Sequence, residues 1–179
     1  MRIIPSANFT RQPWKNGGGV THEIEKREAE GSLLWRLSIA EVERDGPFSI
    51  FPGLHRILTV ISGAGLVLAA PDTTLNAATL VPVSFSGETA INGRLVSGAI
   101  RDFNVIFDPA RIVAAVDTVR ARQELPLLSA PGLRGLLAVD GPVSLNGIRI
   151  EQGSFAFFLG GSVTPEADAT ALTVSLQAK

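Results

Sequence analysis

Gly17, Gly18 and Gly19 follow directly on a cation and an amide in the run Pro13-Trp14-Lys15-Asn16. Glycine loses more conformational freedom on folding than any other residue, so a triplet needs a reason. The usual ones are a turn with φ > 0 or backbone N–H groups brought close to a ligand. With Lys15 and Asn16 beside it, the run has the composition of a small-anion site; a tight turn leading into a strand is the competing reading. No Gly-Lys-Ser/Thr follows at phosphate-loop spacing and no strand-to-helix context fits a dinucleotide fingerprint, which argues against nucleotide phosphates. Downstream, Val20-Thr21-His22-Glu23-Ile24 alternates as a strand does, with Thr21 and Glu23 on one face and Val20, His22 and Ile24 on the other.

The same alternation organises the other polar candidates. Over 33–42, Trp35, Leu37 and Ile39 project to one face and Arg36, Ser38 and Ala40 to the other, until Asp45-Gly46-Pro47 breaks the strand. Over 99–107, Asp102 and Asn104 lie on one face against Phe103, Val105 and Phe107. The apolar run 57–61, interrupted by Ser62-Gly63-Ala64-Gly65 and resumed over 66–69, reads as a hairpin. Short alternating segments punctuated by Gly, Pro, Asp and Asn predict an all-β sandwich or barrel.

Composition narrows the function classes. The 179 residues carry a formal charge of −1 with no basic cluster, so the chain lacks the electrostatic footprint for nucleic acid or an anionic membrane. There is no cysteine, which removes disulfides, thiolate metal sites and cysteine nucleophiles. Residues 1–9 do not form a signal peptide and no apolar run reaches the roughly 18 residues of a membrane span, so a cytoplasmic protein is expected.

A faint repeat suggests two similar halves. Leu58-Thr59-Val60-Ile61-Ser62-Gly63 matches Leu136-Leu137-Ala138-Val139-Asp140-Gly141. Later, Val143 to Ile150 reads as a hairpin turning at Asn146-Gly147, and a further strand covers 155–159. Residues 111–122 carry both a helix-start signal, Asp108-Pro109, and β-branched alternation; the strand reading is preferred, with 123–132 as linker.

Taken together in order and spacing, several stretches resemble the HutD/Ves family. They are Pro13 to Thr21 with Glu23-Ile24, Trp35-Arg36 with Ser38, Ala40 and Val42, Asp45 to Ser49 with Phe51-Pro52-Gly53 and Arg56, and Asp102 to Val105. Gly87-Glu88 stands where the family commonly has Gly-Asp, and His55 where an acidic residue is frequent. The resemblance implies a bicupin, two cupin-like β-barrel or jelly-roll halves in one chain, here residues 1–110 with the site and a smaller half over 111–179. It also implies an association with bacterial histidine utilisation or, in the Ves branch, environmental stress, and a ligand-binding or regulatory role toward an intermediate such as N-formylglutamate.

In such a barrel every second side chain points inward, so Thr21/Glu23, Arg36/Ser38 and Asp102/Asn104 converge on one cavity with Lys15, Asn16, Gly17, Gly18, Gly19 and Arg56 at its edge. Arginine offers a planar fork for a carboxylate, and Asp, Glu and Asn hold that fork or accept from ligand N–H groups. The competing reading makes Arg36–Glu23 and Arg56–Asp102 purely structural ion pairs. The aromatic set Trp14, Trp35, Phe48, Phe51 and Phe103 is expected to be core or interface, with Asp45 to Ser49 a rigid turn that presents Phe51-Pro52-Gly53 near the pocket rim.

A cupin metal centre needs converging imidazoles, but the chain has only His22 and His55 and no His-x-His. His55 would have to recruit Glu23, Asp102 or Glu88, so neither a metal nor another cofactor is expected. Ser38 or Ser49 with His55 and Asp102 lacks a nucleophile elbow. The expectation is a binding module for a small carboxylated metabolite, with a homodimer left open. The alternative is a metal-independent isomerase or hydrolase using Glu23 or Asp102 as general base.

Overall fold

The computed structural model describes residues 1–128 and 131–179 and is built almost wholly of β-strands. Two compact units divide the chain. One is Thr10–Ala110; the other joins Met1–Phe9 to Arg111–Lys179. Residues 1–9, grouped with the first half in the sequence reading, enter the second unit because β1 (Arg2–Ile4) pairs along β17 (Phe155–Phe158).

The Thr10–Ala110 unit is a sandwich. Its larger sheet runs in the order β2 (Thr10–Pro13), β3 (Gly19–Ala29), β4 (Ser32–Val42), β11 (Ile100–Phe107), β6 (His55–Ser62), β9 (Val83–Ser86). The smaller runs β5 (Gly46–Pro47), β10 (Asn92–Leu95), β7 (Leu66–Ala69), β8 (Thr74–Ala77). Ala40, Val42, Leu58, Val60 and Ile100 from the larger sheet pack with Leu66, Leu68 and Ala77 from the smaller, closing one end of the sandwich with an apolar core. At the other end, the same inward face of β4, β6 and β11 turns polar.

Register decides which polar residues meet. Asn104 lies opposite Ser38 on β4 and Leu58 on β6; Asp102 lies opposite Ala40 and Val60; Ile106 lies between Arg36 and Arg56. A bulge in β3 between Glu23 and Glu25 shifts the pairing by one residue. Glu23 lies in the regular register before that bulge and shares the inward face with Ser38, its cross-strand partner.

The second unit has the same plan. One sheet runs β1, β17, β14 (Gly132–Ala138), β19 (Ala171–Ala178), β12 (Ile112–Val119), the other β13 (Gln123–Leu125), β18 (Gly161–Pro165), β15 (Val143–Leu145), β16 (Ile148–Ile150). Residues 112–119 are thus strand. The stretch read as linker contains β13, which pairs with β18; positions 129 and 130 of that stretch lie outside the described residues. The hairpin at Asn146-Gly147 forms with both residues at positive φ.

The repeat is structural. β14 lies between β19 and β17 as β6 lies between β11 and β9, and Arg134 opposite Phe158 occupies the register of Arg56 opposite Phe85. The positions of Asn104 and Asp102, however, are taken by Thr173 and Ala171. Leu136, Ala138, Val143, Leu145, Ile150 and Phe158 fill that interior with apolar side chains. Among the described residues, only the Thr10–Ala110 unit keeps an inward-facing amide and carboxylate at these positions beside its arginine.

Candidate functional site

A cavity of about 350 Å3 opens in the Thr10–Ala110 unit, at the small end of ordinary ligand pockets, roughly 300–1,000 Å3. Of the residues singled out in the sequence, Lys15, Asn16, Thr21, Arg36, Ser38, Arg56 and Asn104 line it. Gly17, Gly18, Gly19, Glu23 and Asp102 do not.

The glycines serve the wall of the cavity. Gly17 takes φ +67° in the turn and donates its N–H to the Trp14 carbonyl at 3.1 Å, while the Gly18 N–H goes to Asn16 Oδ1 at 3.0 Å. Both amides are therefore used within the turn and neither is offered to an anion. Gly19 is required by close approach: a Cβ there would stand 2.2 Å from the Glu41 carbonyl oxygen and 3.2 Å from the Trp14 ring. That approach lets Trp14 lie against β3, its Nε1–H donating to Thr21 Oγ1 at 2.8 Å.

Arg36 is held at its back. Its Nε donates to Glu23 Oε2 at 2.6 Å and its Nη2 to Gln12 Oε1 at 3.0 Å. Glu23 and Arg36 are each 17% exposed, so the pair is moderately shielded. Replacing Glu23 with Gln should cost about 1 kcal/mol of stability. It should also tighten carboxylate binding by roughly threefold to tenfold by freeing positive charge at the cavity. Urea unfolding and calorimetric titration of Glu23→Gln measure the two effects, and unchanged affinity would remove Arg36 from the ligand's contacts.

Arg56 is the deeper cation. Only 5% exposed, its guanidinium carbon lies 5.3, 5.5 and 5.2 Å from the ring centres of Phe48, Phe51 and Phe85, within cation–π range. Nη2 donates to Asn104 Oδ1 at 2.8 Å and Nη1 makes a long contact of 3.4 Å with the Ser49 carbonyl. Nε finds no acceptor. Burial lowers Arg56 to about 10, against the raising effect of Asp102, and leaves it charged at neutral pH.

Asp102 sits behind this group, fully buried. Its Oδ1 accepts from Asn104 Nδ2 and its Oδ2 has no hydrogen-bond partner. Asn104 therefore bridges the two charges, and the Arg56–Asp102 contact envisaged from the sequence is indirect. Burial pushes the Asp102 carboxyl up to about 7, opposed by the Arg56 charge and the Asn104 bond.

The sequence places Phe51 near the cavity rim but leaves Trp14 and Phe48 in the core-or-interface set. Trp35 and Phe103 are core, but Trp14, Phe48 and Phe51 line the cavity with Pro47, Ser49, Ala40 and Ile106. Phe48 is seated by Gly93, where a Cβ would come 2.4 Å from its ring. The one available signal was Asp45-Gly46-Pro47, whose rigid turn presents Phe48. His55 does not line the cavity; it projects from the face of β6 opposite Arg56, its Nε2 within 3.0 Å of Ser84 Oγ and its ring edge-on to Phe107. His22 pairs with Glu41 at 3.2 Å.

Comparison with known proteins places these features. The HutD family profile matches residues 6–173. An uncharacterized 21.2 kDa protein of Pseudomonas putida, from the hutC 3' region, is 42% identical over 116 residues, 62% of this chain and 60% of the relative. Two solved structures are similar over nearly the whole chain. HutD from Pseudomonas fluorescens SBW25 (formate condition) has a TM-score of 0.88 at 32% identity, covering 99% of this chain and 98% of the other. A conserved protein of unknown function from Pseudomonas aeruginosa PAO1 has a TM-score of 0.85 at 31% identity, covering 98% of each.

A bacterial pirin from Escherichia coli in complex with nickel(II) shares the fold, with a TM-score of 0.70 at 9% identity over 98% of each chain. The present cavity does not suit such an ion. Among the described residues no three His, Asp or Glu gather closely enough to hold a metal, and the charged groups lining the cavity are Lys15, Arg36 and Arg56.

Proposed function

This chain belongs to the HutD family, with a bicupin architecture, and from that premise we propose that its Thr10–Ala110 unit binds a small carboxylated metabolite in a regulatory, non-catalytic role. N-formylglutamate-like intermediates of histidine degradation are the first candidates, since the family is linked to the histidine-utilisation locus through the relative in the hutC 3' region. A cytoplasmic location fits that role; no helix among the described residues is long and apolar enough to cross a membrane.

The observation that carries the reading is Arg56, a charged guanidinium on the cavity wall whose donors are only partly used. A carboxylate is the acceptor that matches a planar fork. The lining supplies Lys15 and Arg36 as further positive charge, Arg36 already paired with Glu23 at its back, with Ser38, Ser49, Thr21 and Asn104 to orient an amide-like group.

The general-base alternative has less support, because Glu23 is engaged by Arg36 and Asp102 is fully buried behind Asn104. Calorimetric titration with N-formylglutamate, formiminoglutamate, urocanate and glutamate distinguishes the cases. The expected result is a Kd below millimolar for at least one of them and recovery of the ligand chemically unchanged after long incubation, with and without divalent metal. Turnover would favour the enzyme reading, and no binding by any carboxylate would remove the proposal.

A further inference from the structure

Asp102 is a titratable group that carboxylate binding by itself does not use. It is fully buried, with one oxygen bonded to Asn104 and the other unpartnered. Its charge is tied to the cavity by a short chain: Asp102 Oδ1 accepts from Asn104 Nδ2, and Asn104 Oδ1 accepts from Arg56 Nη2. The carboxylate thus fixes the amide orientation in which the oxygen faces the guanidinium. We propose that Asp102 is the positioning residue of this site and takes up a proton from solvent when a carboxylate ligand reaches Arg56. This rests on the reading of the cavity as a carboxylate site.

Electrostatics gives the direction. Without ligand, an ionised Asp102 and Arg56 form a neutral set bridged by Asn104. A ligand carboxylate against Arg56 places two anions around one cation in a shielded site, which favours the protonated form of Asp102. Oδ2 is free to carry that proton, so the Asn104 bond on Oδ1 survives. A carboxyl already raised to about 7 by burial is poised for this at physiological pH.

Few other groups compete. On the same face, β4 brings Ala40, Ser38 and Arg36, β6 brings Val60 and Arg56, and β3 brings Glu23, which Arg36 holds. The smaller sheet contributes the apolar Leu66, Leu68 and Ala77 to the core. Lys15 stands at the cavity lining. Both histidines lie on the opposite face of the larger sheet, His22 beside Glu41 and His55 beside Ser84.

The test is calorimetric titration of N-formylglutamate into the full chain in phosphate and in Tris, whose ionisation enthalpies differ widely. The expected result is a buffer-dependent enthalpy corresponding to fractional proton uptake, and an affinity that falls by up to about tenfold per pH unit above pH 7. Asp102→Asn should abolish both, whereas a His22→Gln/His55→Gln double variant should leave both intact. If Asp102→Asn does not fold, infrared difference spectra of the unaltered protein serve instead, with the C=O stretch of a protonated carboxyl appearing on ligand addition. A buffer-independent enthalpy, or uptake lost in the histidine variant, would overturn this proposal alone. Absence of binding by any carboxylate would overturn the proposed function and this proposal with it.

Discussion

Replacing Arg56 with Lys is expected to weaken carboxylate binding by about 1.5–3 kcal/mol, roughly tenfold to 150-fold, while leaving the fold intact. Lysine keeps the positive charge among Phe48, Phe51 and Phe85 but loses the fork that can serve Asn104 and a ligand at once. Replacing Arg56 with Ala has a different consequence, because Asp102 is then left without its counter-charge. The expected loss of folding stability is about 3–5 kcal/mol at mildly alkaline pH.

That loss depends on pH in a definite sense. The folded protein holds the Asp102 proton up to about 7, whereas an unfolded aspartate releases it near 4. Between those values the folded state binds more protons, so this residue favours folding at low pH and its contribution is lost as pH rises through 7. In acid both the parent and Arg56→Ala carry a neutral Asp102, and the difference between them should shrink. Urea unfolding across that window, with ligand titration of Arg56→Lys, measures both effects. Full affinity in Arg56→Lys would move the ligand toward Lys15 and Arg36.

Gly19→Ala should be nearly as damaging to the cavity without touching a charged group. The added carbon would lie 2.2 Å from the Glu41 carbonyl oxygen, and backbone on a neighbouring strand cannot swing aside as a side-chain end can. β3 must then move away from β4, carrying Thr21 away from the Trp14 Nε1–H that it accepts. A loss of about 3 kcal/mol and a broken cavity wall are expected. Gly17→Ala, with open space around the added carbon and only the positive φ to oppose it, should cost about 1 kcal/mol. Thermal unfolding of the two variants separates close approach from turn geometry; equal losses would mean that the triplet acts only as a turn.

The cavity was legible where strands are regular. β4 and β11 pair from Trp35 to Val42 and from Ile100 to Phe107, so simple alternation puts Arg36, Ser38, Asp102 and Asn104 on one face. Depth along that face was not legible, since it depends on register: Asp102 lies beside Ala40 and Val60, under Asn104 and away from the cavity. Composition does not decide between an anion site and a turn for the glycine run, because it says nothing about where an N–H points; the turn consumes those of Gly17 and Gly18. The turn Asp45-Gly46-Pro47 signals that Phe51 comes near the rim, but the wall role of Phe48 is not legible, because it falls between β5 and β6, where no alternation indicates a facing direction. The placement of β1 with the second unit follows from long-range pairing with β17, which no local signal encodes. The bicupin plan itself came from the family resemblance, supported by the repeat around Leu58 and Leu136.

A carboxylate held by Arg56 in the cavity of the Thr10–Ala110 unit should be visible crystallographically. A crystal structure of the protein soaked with N-formylglutamate tests it most directly. One ligand carboxylate is expected within about 3 Å of the Arg56 guanidinium, with the Asn104 bond retained and the chain of the ligand against Phe48 and Phe51. Ligand bound elsewhere, or a cavity left without ligand at concentrations that saturate the protein in solution, would contradict it.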